Sequence, residues 1–265
     1  MYTSFELAKK YASYYLSAYN GKGHGMHSPF VFQFILHVLN NQSGYATPKE
    51  IEELRKQLLE DKTLLEIEDL GAGSRVVATK KRSVQQLAKS ALKPPRYAAL
   101  LFRLVRHYQP QTIVELGTSL GITTSYISKA NPGANITTIE GSKAVAEVAL
   151  RNFSTLGIEN VRVMQGNFDD LLPPVIQQLS SVDLAYIDGN HRYGPTINYF
   201  HHLLAKTNNN SILVFDDIHW SKEMEQAWEE IKSHPAVQCT IDIFFLGFVF
   251  FRSEFKVKQH FTVRF

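Results

Sequence analysis

Acidic and glycine residues follow one another in a pattern that could hold a ribose-containing ligand. An apolar, strand-like run that includes Glu115 leads into a turn with Gly117 and Gly121, and a second strand-like run ends at Glu140. Glycines let the backbone approach a ligand closely, and the start of the following helix offers unpaired N–H groups. An acid at the tip of the second strand can accept hydrogen bonds from both hydroxyls of a ribose.

The spacing Glu115-x-Gly117-x-x-x-Gly121 differs from the G-x-G-x-x-G of dinucleotide-binding folds. An acid at the loop entrance would repel a pyrophosphate, but it suits a ligand that carries an amino group. The stretch from Gln111 to Glu140 resembles the cofactor loop of class I S-adenosylmethionine-dependent methyltransferases. The resemblance implies S-adenosyl-L-methionine as the cofactor, with the glycines under its methionine part, Glu115 near its amino end and Glu140 on its ribose.

The same resemblance implies further cofactor contacts. Asn167 follows the next short strand, at the position of the polar residue that meets the adenine amino group, and the neighbouring Phe168 is expected to pack on the ring. The remaining residues implied for cofactor binding are Thr118, Ser119, Gly141, Ser142 and Asp188.

Acids also follow the two later apolar runs. Asp188 ends the run 182–187, and Asp216 with Asp217 ends the run 211–215. Ligands of open α/β sheets bind beyond the carboxyl ends of the strands, so Asp188 is expected to face the transferring methyl group. Two successive acids at a strand end are costly unless something positive lies there.

This arrangement resembles the cation-dependent, catechol-type O-methyltransferases. The resemblance implies Asp188, Asp216 and Asp217 as ligands of Mg²⁺ or another divalent cation that chelates substrate oxygens. His191 stands where that family has a lysine base, and histidine titrates near neutral pH, so it could serve as the base. Asp217 stands where the family has asparagine. A metal-free mechanism with His191 or His219 as base stays open, as do acids that only cap backbone N–H groups.

Strand-like and helical runs alternate from residue 96 to 252. They predict an α/β fold with a Rossmann-like seven-stranded sheet, mostly parallel, that closes with a C-terminal antiparallel hairpin. Residues 96–265 are assigned to this methyltransferase core. Residues 1–95 are predicted to form a helical N-terminal extension that covers the active site, with one charged amphipathic helix over 48–69.

Phenylalanines fill the predicted hairpin between residues 240 and 252. Both faces of the hairpin are therefore apolar, and one of them could bury against a second subunit in a homodimer. The tail through Phe265 could add an edge strand.

The segment from Glu68 to Arg75 looks like a second glycine-rich cofactor loop. No acid-terminated strand follows it at the required distance, which favours a linker or lid loop instead. Arg75 or Lys80 could there meet an anionic substrate.

Composition limits the class of protein. A chain of 265 residues that is 44% hydrophobic can bury a core, and its net charge of +3 is too small to indicate a polyanionic partner. The charge is uneven, at +5 over residues 1–97 and −2 over the remainder. The single cysteine, Cys239, excludes an internal disulfide. No apolar stretch approaches the length of a membrane span, so we expect a soluble, cytoplasmic protein without a membrane partner.

The sequence thus predicts a methyltransferase that acts on a small-molecule acceptor, at a hydroxyl oxygen. The basic front half suggests a nucleic-acid (RNA) methyltransferase as the alternative. Its adenine-modifying members carry an N/D-P-P-Y/F run where this chain has Asp188-Gly189-Asn190-His191, so nucleic acid is not the expected partner. A non-catalytic S-adenosylmethionine-binding module is the second alternative. A nicotinamide dehydrogenase is the weakest, because the third loop glycine is missing.

Overall fold

The structure is a computed structural model and describes residues 1–41, 48–69 and 78–265. The chain divides into two compact units. We call Met1–Asn40 together with Val175–Phe265 the terminal unit, and Asn41–Pro174 the central unit. This division does not follow the predicted boundary near residue 95. The predicted separation into an extension and a core therefore stays a prediction.

The helices and strands of the described residues follow one another in chain order. The terminal unit begins with α1, Ser4–Ser17, and α2, Pro29–Phe34, which continues into a π-helical turn over Ile35–Leu39. The central unit holds α3 Lys49–Glu60, β1 Leu64–Asp69, β2 Ala78–Ser83, α4 Val84–Ala91, α5 Pro95–Tyr108, β3 Thr112–Leu116, α6 Ile122–Ala130, β4 Asn135–Glu140, α7 Lys143–Thr155 and β5 Val161–Gln165. Helix α8, Phe168–Gln178, spans the division. The terminal unit resumes with β6 Leu184–Ile187, α9 Tyr193–Leu204, β7 Ile212–Asp216, α10 Lys222–Ser233, β8 Cys239–Asp242, β9 Leu246–Phe250 and β10 Gln259–Thr262.

Three parallel strands organise the central unit. Strand β4 lies between β3 and β5 and pairs with both in parallel register. Ile113, Val114 and Leu116 of β3 are fully buried, as a strand covered on both faces requires. Because the strands are parallel, the loops after β3, β4 and β5 emerge at the same edge of this part of the sheet.

The predicted helix over 48–69 is too long. Helix α3 ends at Glu60, and the Asp61 carboxylate accepts a hydrogen bond from the Thr63 backbone N–H, 2.8 Å away, as the chain turns. The following residues form β1, which pairs antiparallel with β2. Exposed Leu64 and buried Leu65 begin the alternation that is typical of a strand rather than a helix.

Five strands form the sheet of the terminal unit, in the order β10-β8-β9-β7-β6. Strands β6 and β7 are parallel, and β9 runs antiparallel to both β7 and β8, which confirms the predicted C-terminal hairpin. Strand β10 adds the edge strand that the tail was expected to supply, and it pairs in parallel with β8. The described part of the mostly parallel sheet thus contains eight strands instead of the predicted seven.

The aromatic hairpin is covered by helices of its own chain. Phe244, Phe248 and Phe250 are at most 1% exposed. The Phe244 ring packs edge-on against Tyr11 of α1, and Phe248 and Phe250 pack against Phe34 of α2, with ring centroids 5.0 to 5.7 Å apart. The N-terminal helices thus cover one face of the hairpin, and the homodimer contact through its other face stays a prediction.

None of the described helices has the length and apolar character needed to cross a membrane.

Candidate active site

The loop after β3 has a backbone that only glycine adopts without strain at two positions. Gly117 and Gly121 have φ angles of 98° and 79°, in the left-handed region. A Cβ atom on Gly121 would lie 2.7 Å from the Phe153 ring, so any larger residue would also collide with α7. Gly121 directly precedes α6, whose first N–H groups therefore face the loop.

Glu115 is fully buried at the entrance to this loop. Its Oε2 atom accepts hydrogen bonds from the Thr124 hydroxyl of α6, at 2.5 Å, and from the Thr138 hydroxyl of β4, at 2.6 Å. Thr118, a predicted cofactor residue, joins the same network through its hydroxyl, 2.6 Å from that of Thr138. The network holds the acid in a fixed orientation, and its contact with a ligand amino group stays a prediction.

Glu140 connects the two loops that were predicted to hold the cofactor. One carboxylate oxygen accepts the backbone N–H of Ser119, at 2.8 Å, and the other accepts that of Ser142, at 3.0 Å. Burial raises the pKa of Glu140 above its ordinary value, and it outweighs the opposing backbone hydrogen bonds of Ser142, Ser119 and Gly141. The predicted residues around the ribose site thus lie together, whereas the ribose contact itself stays a prediction.

Asn167 caps the helix that follows β5. Its side-chain oxygen accepts the backbone N–H of Asp169, at 2.9 Å, in an Asx turn that starts α8. Phe168 is the first residue of that helix and is half-buried. The predicted adenine contacts of both residues are not tested by this geometry.

In the terminal unit, the structure brings Asp188, His191 and Asp216 together. One donor atom from each side chain lies within 4.8 Å of the others. The reason is topological: β6 and β7 are parallel neighbours with Ile187 opposite Phe215, so the residues that end them meet at one edge. His191 Nε2 lies 3.7 Å from Asp188 Oδ1, and Asp216 is 1% exposed.

Two tyrosines support this group, and neither was singled out from the sequence. The Tyr186 hydroxyl donates to Asp188 Oδ2, at 2.8 Å, and orients the carboxylate. Asn190, in the left-handed conformation with φ 56°, donates through Nδ2 to the Tyr199 hydroxyl, at 2.9 Å. The position of Tyr186 two residues before Asp188 was an available signal, because residues i and i+2 of a strand share a face.

Asp217 does not belong to the group of Asp188, His191 and Asp216 that the described residues form. Its backbone is left-handed, with φ 53°, and its N–H donates to the Phe245 carbonyl, at 2.7 Å. The structure therefore groups the first acid of the doublet with Asp188 and His191, and Asp217 as a metal ligand stays a prediction.

His219, a predicted alternative base, lies between two carboxylates. Its Nε2 is 2.8 Å from Asp242 Oδ2 and its Nδ1 is 3.1 Å from Glu225 Oε1, while its ring stacks on Phe244. Burial lowers its pKa, but the hydrogen bonds and charges of Asp242 and Glu225 outweigh burial, so the pKa is raised. Both ring nitrogens are engaged, which disfavours His219 as acceptor of a substrate proton.

The predicted contact of Arg75 or Lys80 with an anionic substrate cannot be placed. Arg75 and the side chain of Lys80 lie outside the described residues.

The chain is similar in sequence to known methyltransferases. Residues 114–218 match the family described as "Methyltransferase domain". A catechol O-methyltransferase of Niastella koreensis is 26% identical over 147 residues, which cover 54% of this chain and 64% of that relative's length.

Two solved structures show the same fold. One is an SAH-bound methyltransferase of Podospora anserina, with a TM-score of 0.62 and 12% identity over 96% of this chain and 98% of that one. The other is an O-methyltransferase of Bacillus cereus in complex with SAH, with a TM-score of 0.56 and 18% identity over 83% and 97% of the two chains.

The fold and the comparisons define the class, and the resemblance seen in the sequence is confirmed: this is a class I S-adenosylmethionine-dependent methyltransferase fold. Within that class, residues 114–218 match the methyltransferase-domain family, and one relative and one structural neighbour are named O-methyltransferases.

Proposed function

We propose that this chain transfers a methyl group from S-adenosyl-L-methionine to a hydroxyl oxygen of a small molecule, with a divalent cation held by Asp188 and Asp216. The observation that carries the proposal is the convergence of these two carboxylates with His191 at the ends of β6 and β7. The similarity to a catechol O-methyltransferase supports oxygen as the methylated atom.

The donor atoms suit a hard cation. Carboxylate oxygens are preferred ligands of Mg²⁺ and Mn²⁺, which complete their coordination with water and substrate oxygens. The Tyr186 hydroxyl on the second oxygen of Asp188 is the kind of supporting hydrogen bond that fixes a ligand's orientation. A divalent cation bound there would lower the pKa of a coordinated hydroxyl. Asp217 is not part of the proposed site.

His191 is proposed as the base. Its Nε2 is 3.7 Å from Asp188, beyond hydrogen-bond distance, and its side chain is 26% exposed, so the nitrogen can reach an acceptor. In the proposed reaction the acceptor oxygen bonds to the methyl carbon as the carbon–sulfur bond breaks. S-adenosylhomocysteine leaves, and the hydroxyl proton passes to His191.

The central unit is proposed to supply the cofactor residues. Glu140 would accept the ribose hydroxyls, Asn167 and Phe168 would contact the adenine, and Glu115 would lie near the amino end. The N–H bonds from Ser119 and Ser142 to Glu140 support this, because they hold an acid at the tip of β4 in a defined orientation. In the described residues, no observation favours a nucleic-acid methyltransferase or a non-catalytic module.

The experiment follows S-adenosylhomocysteine formation with catechol or its monohydroxy analogue phenol as acceptor, with Mg²⁺ or with EDTA. The proposal predicts turnover of the vicinal diol, its loss in EDTA, and its loss in Asp188→Asn with cofactor affinity retained. Equal turnover in Mg²⁺ and EDTA would remove the cation from the mechanism. A protein that fails to bind S-adenosylhomocysteine would contradict the whole proposal.

A further inference from the structure

A series of hydrogen bonds joins the N-terminal segment to the loop that leaves β7. The Tyr2 backbone N–H donates to the Trp220 carbonyl, at 3.1 Å, and the Tyr2 hydroxyl donates to Glu225 Oε2, at 2.7 Å. Lys10 Nζ contacts both oxygens of the same carboxylate, at 2.9 and 3.1 Å. All these residues belong to the terminal unit, although more than 200 positions separate them in sequence.

Glu225 also forms a hydrogen bond with His219, which lies in the loop after β7. The imidazole bridges Glu225 and Asp242, the last residue of β8, and packs face to face on Phe244 with 5.1 Å between ring centroids. The side chains of His219 and Asp242 are only 21% and 11% exposed, so these contacts are shielded from bulk water. The bridge therefore ties the middle of the loop to the β8–β9 turn on one side and to α10 on the other.

The loop held in this way starts at a strained residue. Asp217 has φ 53°, in a region that non-glycine residues rarely adopt, and such a conformation persists only where surrounding contacts determine it. Two of those contacts are backbone hydrogen bonds. The Asp217 N–H donates to the Phe245 carbonyl, and the Asp217 carbonyl accepts the Trp220 N–H, at 2.9 Å. Asp216, the last residue of β7, immediately precedes this turn, so the turn constrains the backbone on the C-terminal side of the Asp216 carboxylate while the pairing with Leu246 of β9 constrains the strand itself.

The helix that presents Lys10 is itself fixed at its start. Thr3 and Glu6 form a reciprocal capping box at the N-terminus of α1. Lys10 also lies over the Tyr2 ring, 4.5 Å from its centroid. Contacts other than the one with Glu225 therefore also restrict the lysine. This favours a role in positioning over that of a loose surface ion pair.

We propose that Tyr2, Lys10, Glu225 and His219 are positioning residues that hold the β7–α10 loop so that Asp216 presents its carboxylate to the cation. This inference rests on the proposed function. It assigns to the N-terminal segment, which lies outside the matched methyltransferase domain, a direct part in building the site.

The test measures Mn²⁺ affinity by electron paramagnetic resonance, well below the unfolding temperature of each variant. Tyr2→Phe combined with Lys10→Met should weaken Mn²⁺ binding about tenfold, as loss of supporting contacts around metal ligands commonly does. Glu225→Gln should have a similar effect. Lys10→Arg should restore most of the affinity, because it keeps the charge. The matched control is Lys9→Met on the exposed neighbour, which should change the affinity by less than about twofold.

S-adenosylhomocysteine affinity is measured in parallel and should not change in any variant, because none of the substituted residues is a candidate cofactor residue. Equal Mn²⁺ affinity in the Lys9 and Lys10 variants, with a wild-type protein that binds Mn²⁺, would overturn the positioning role alone. Parallel loss of both ligands would also overturn it, since it would indicate general destabilisation. A wild-type protein that binds S-adenosylhomocysteine but no Mn²⁺ would instead refute the cation site and this inference with it.

Discussion

Replacing Glu140 by glutamine should separate cofactor binding from stability. The change keeps the size of the side chain but removes the charge that would accept the ribose hydroxyls. One N–H donor, from Ser119 or Ser142, would also face an amide NH₂ in place of a carboxylate oxygen. Losing a hydrogen bond to a charged group costs about 1–3 kcal/mol, so the Kd for S-adenosylhomocysteine should rise roughly 5- to 150-fold.

The effect on the unfolding free energy should depend on pH. Burial raises the pKa of Glu140, so the native state binds its proton more tightly than the unfolded state does. The native state therefore loses stability as pH rises from the ordinary glutamate value through the raised one. Glu140→Gln removes that loss but also leaves one backbone N–H without its carboxylate acceptor, so the unfolding free energy of the variant relative to the wild type should be higher at pH 7 than at pH 4.

Calorimetric titration with S-adenosylhomocysteine and urea unfolding at pH 4 and pH 7 measure the two effects. Glu147→Gln, on the exposed surface of α7, is the matched control and should leave both quantities unchanged. An unchanged Kd in a folded Glu140→Gln protein would remove Glu140 as the ribose acceptor. A stability difference between variant and wild type that is the same at pH 4 and pH 7 would instead refute the conclusion that burial raises the pKa of Glu140.

Three further predictions concern the loop, the base and the thiol. Gly121→Ala should destabilise the protein by about 2 kcal/mol more than Gly157→Ala in urea unfolding. Both glycines have left-handed backbones, but only a Cβ atom on residue 121 would also collide with Phe153, so equal losses of stability would contradict this. His191→Gln should retain Mn²⁺ affinity and lose turnover, whereas loss of both would make His191 a metal ligand. Burial raises the pKa of Cys239 to about 12, so its reaction with a thiol reagent at pH 8 should follow unfolding, and rapid native labelling would disagree.

Much of the fold and part of the site could be predicted from local sequence. The strand before Gly117, the left-handed glycines and the acid at the tip of β4 all lie within about thirty residues, and their spacing alone indicates a ligand loop. Asp188 and Asp216 could be paired because parallel neighbouring strands end at one edge.

The remaining features depend on contacts that the local pattern does not contain. Asp217 was grouped with Asp216, but successive residues of a strand point to opposite faces, and Asp217 lies in a left-handed turn. His219 looked available as a base because its partners Glu225 and Asp242 come from two other elements. The helix that covers one face of the aromatic hairpin could not be named for the same reason, since Tyr11 of α1 lies near the other end of the sequence.

The central claim is tested most directly by an anomalous difference map from crystals soaked with Mn²⁺ and S-adenosylhomocysteine. The proposed function predicts one strong peak within coordination distance of the Asp188 and Asp216 carboxylates, about 2.0–2.3 Å from their oxygens, and a ribose on Glu140. Bound S-adenosylhomocysteine without a peak at these two aspartates would contradict cation-assisted transfer. The absence of the nucleoside from Glu140 would contradict the cofactor assignment.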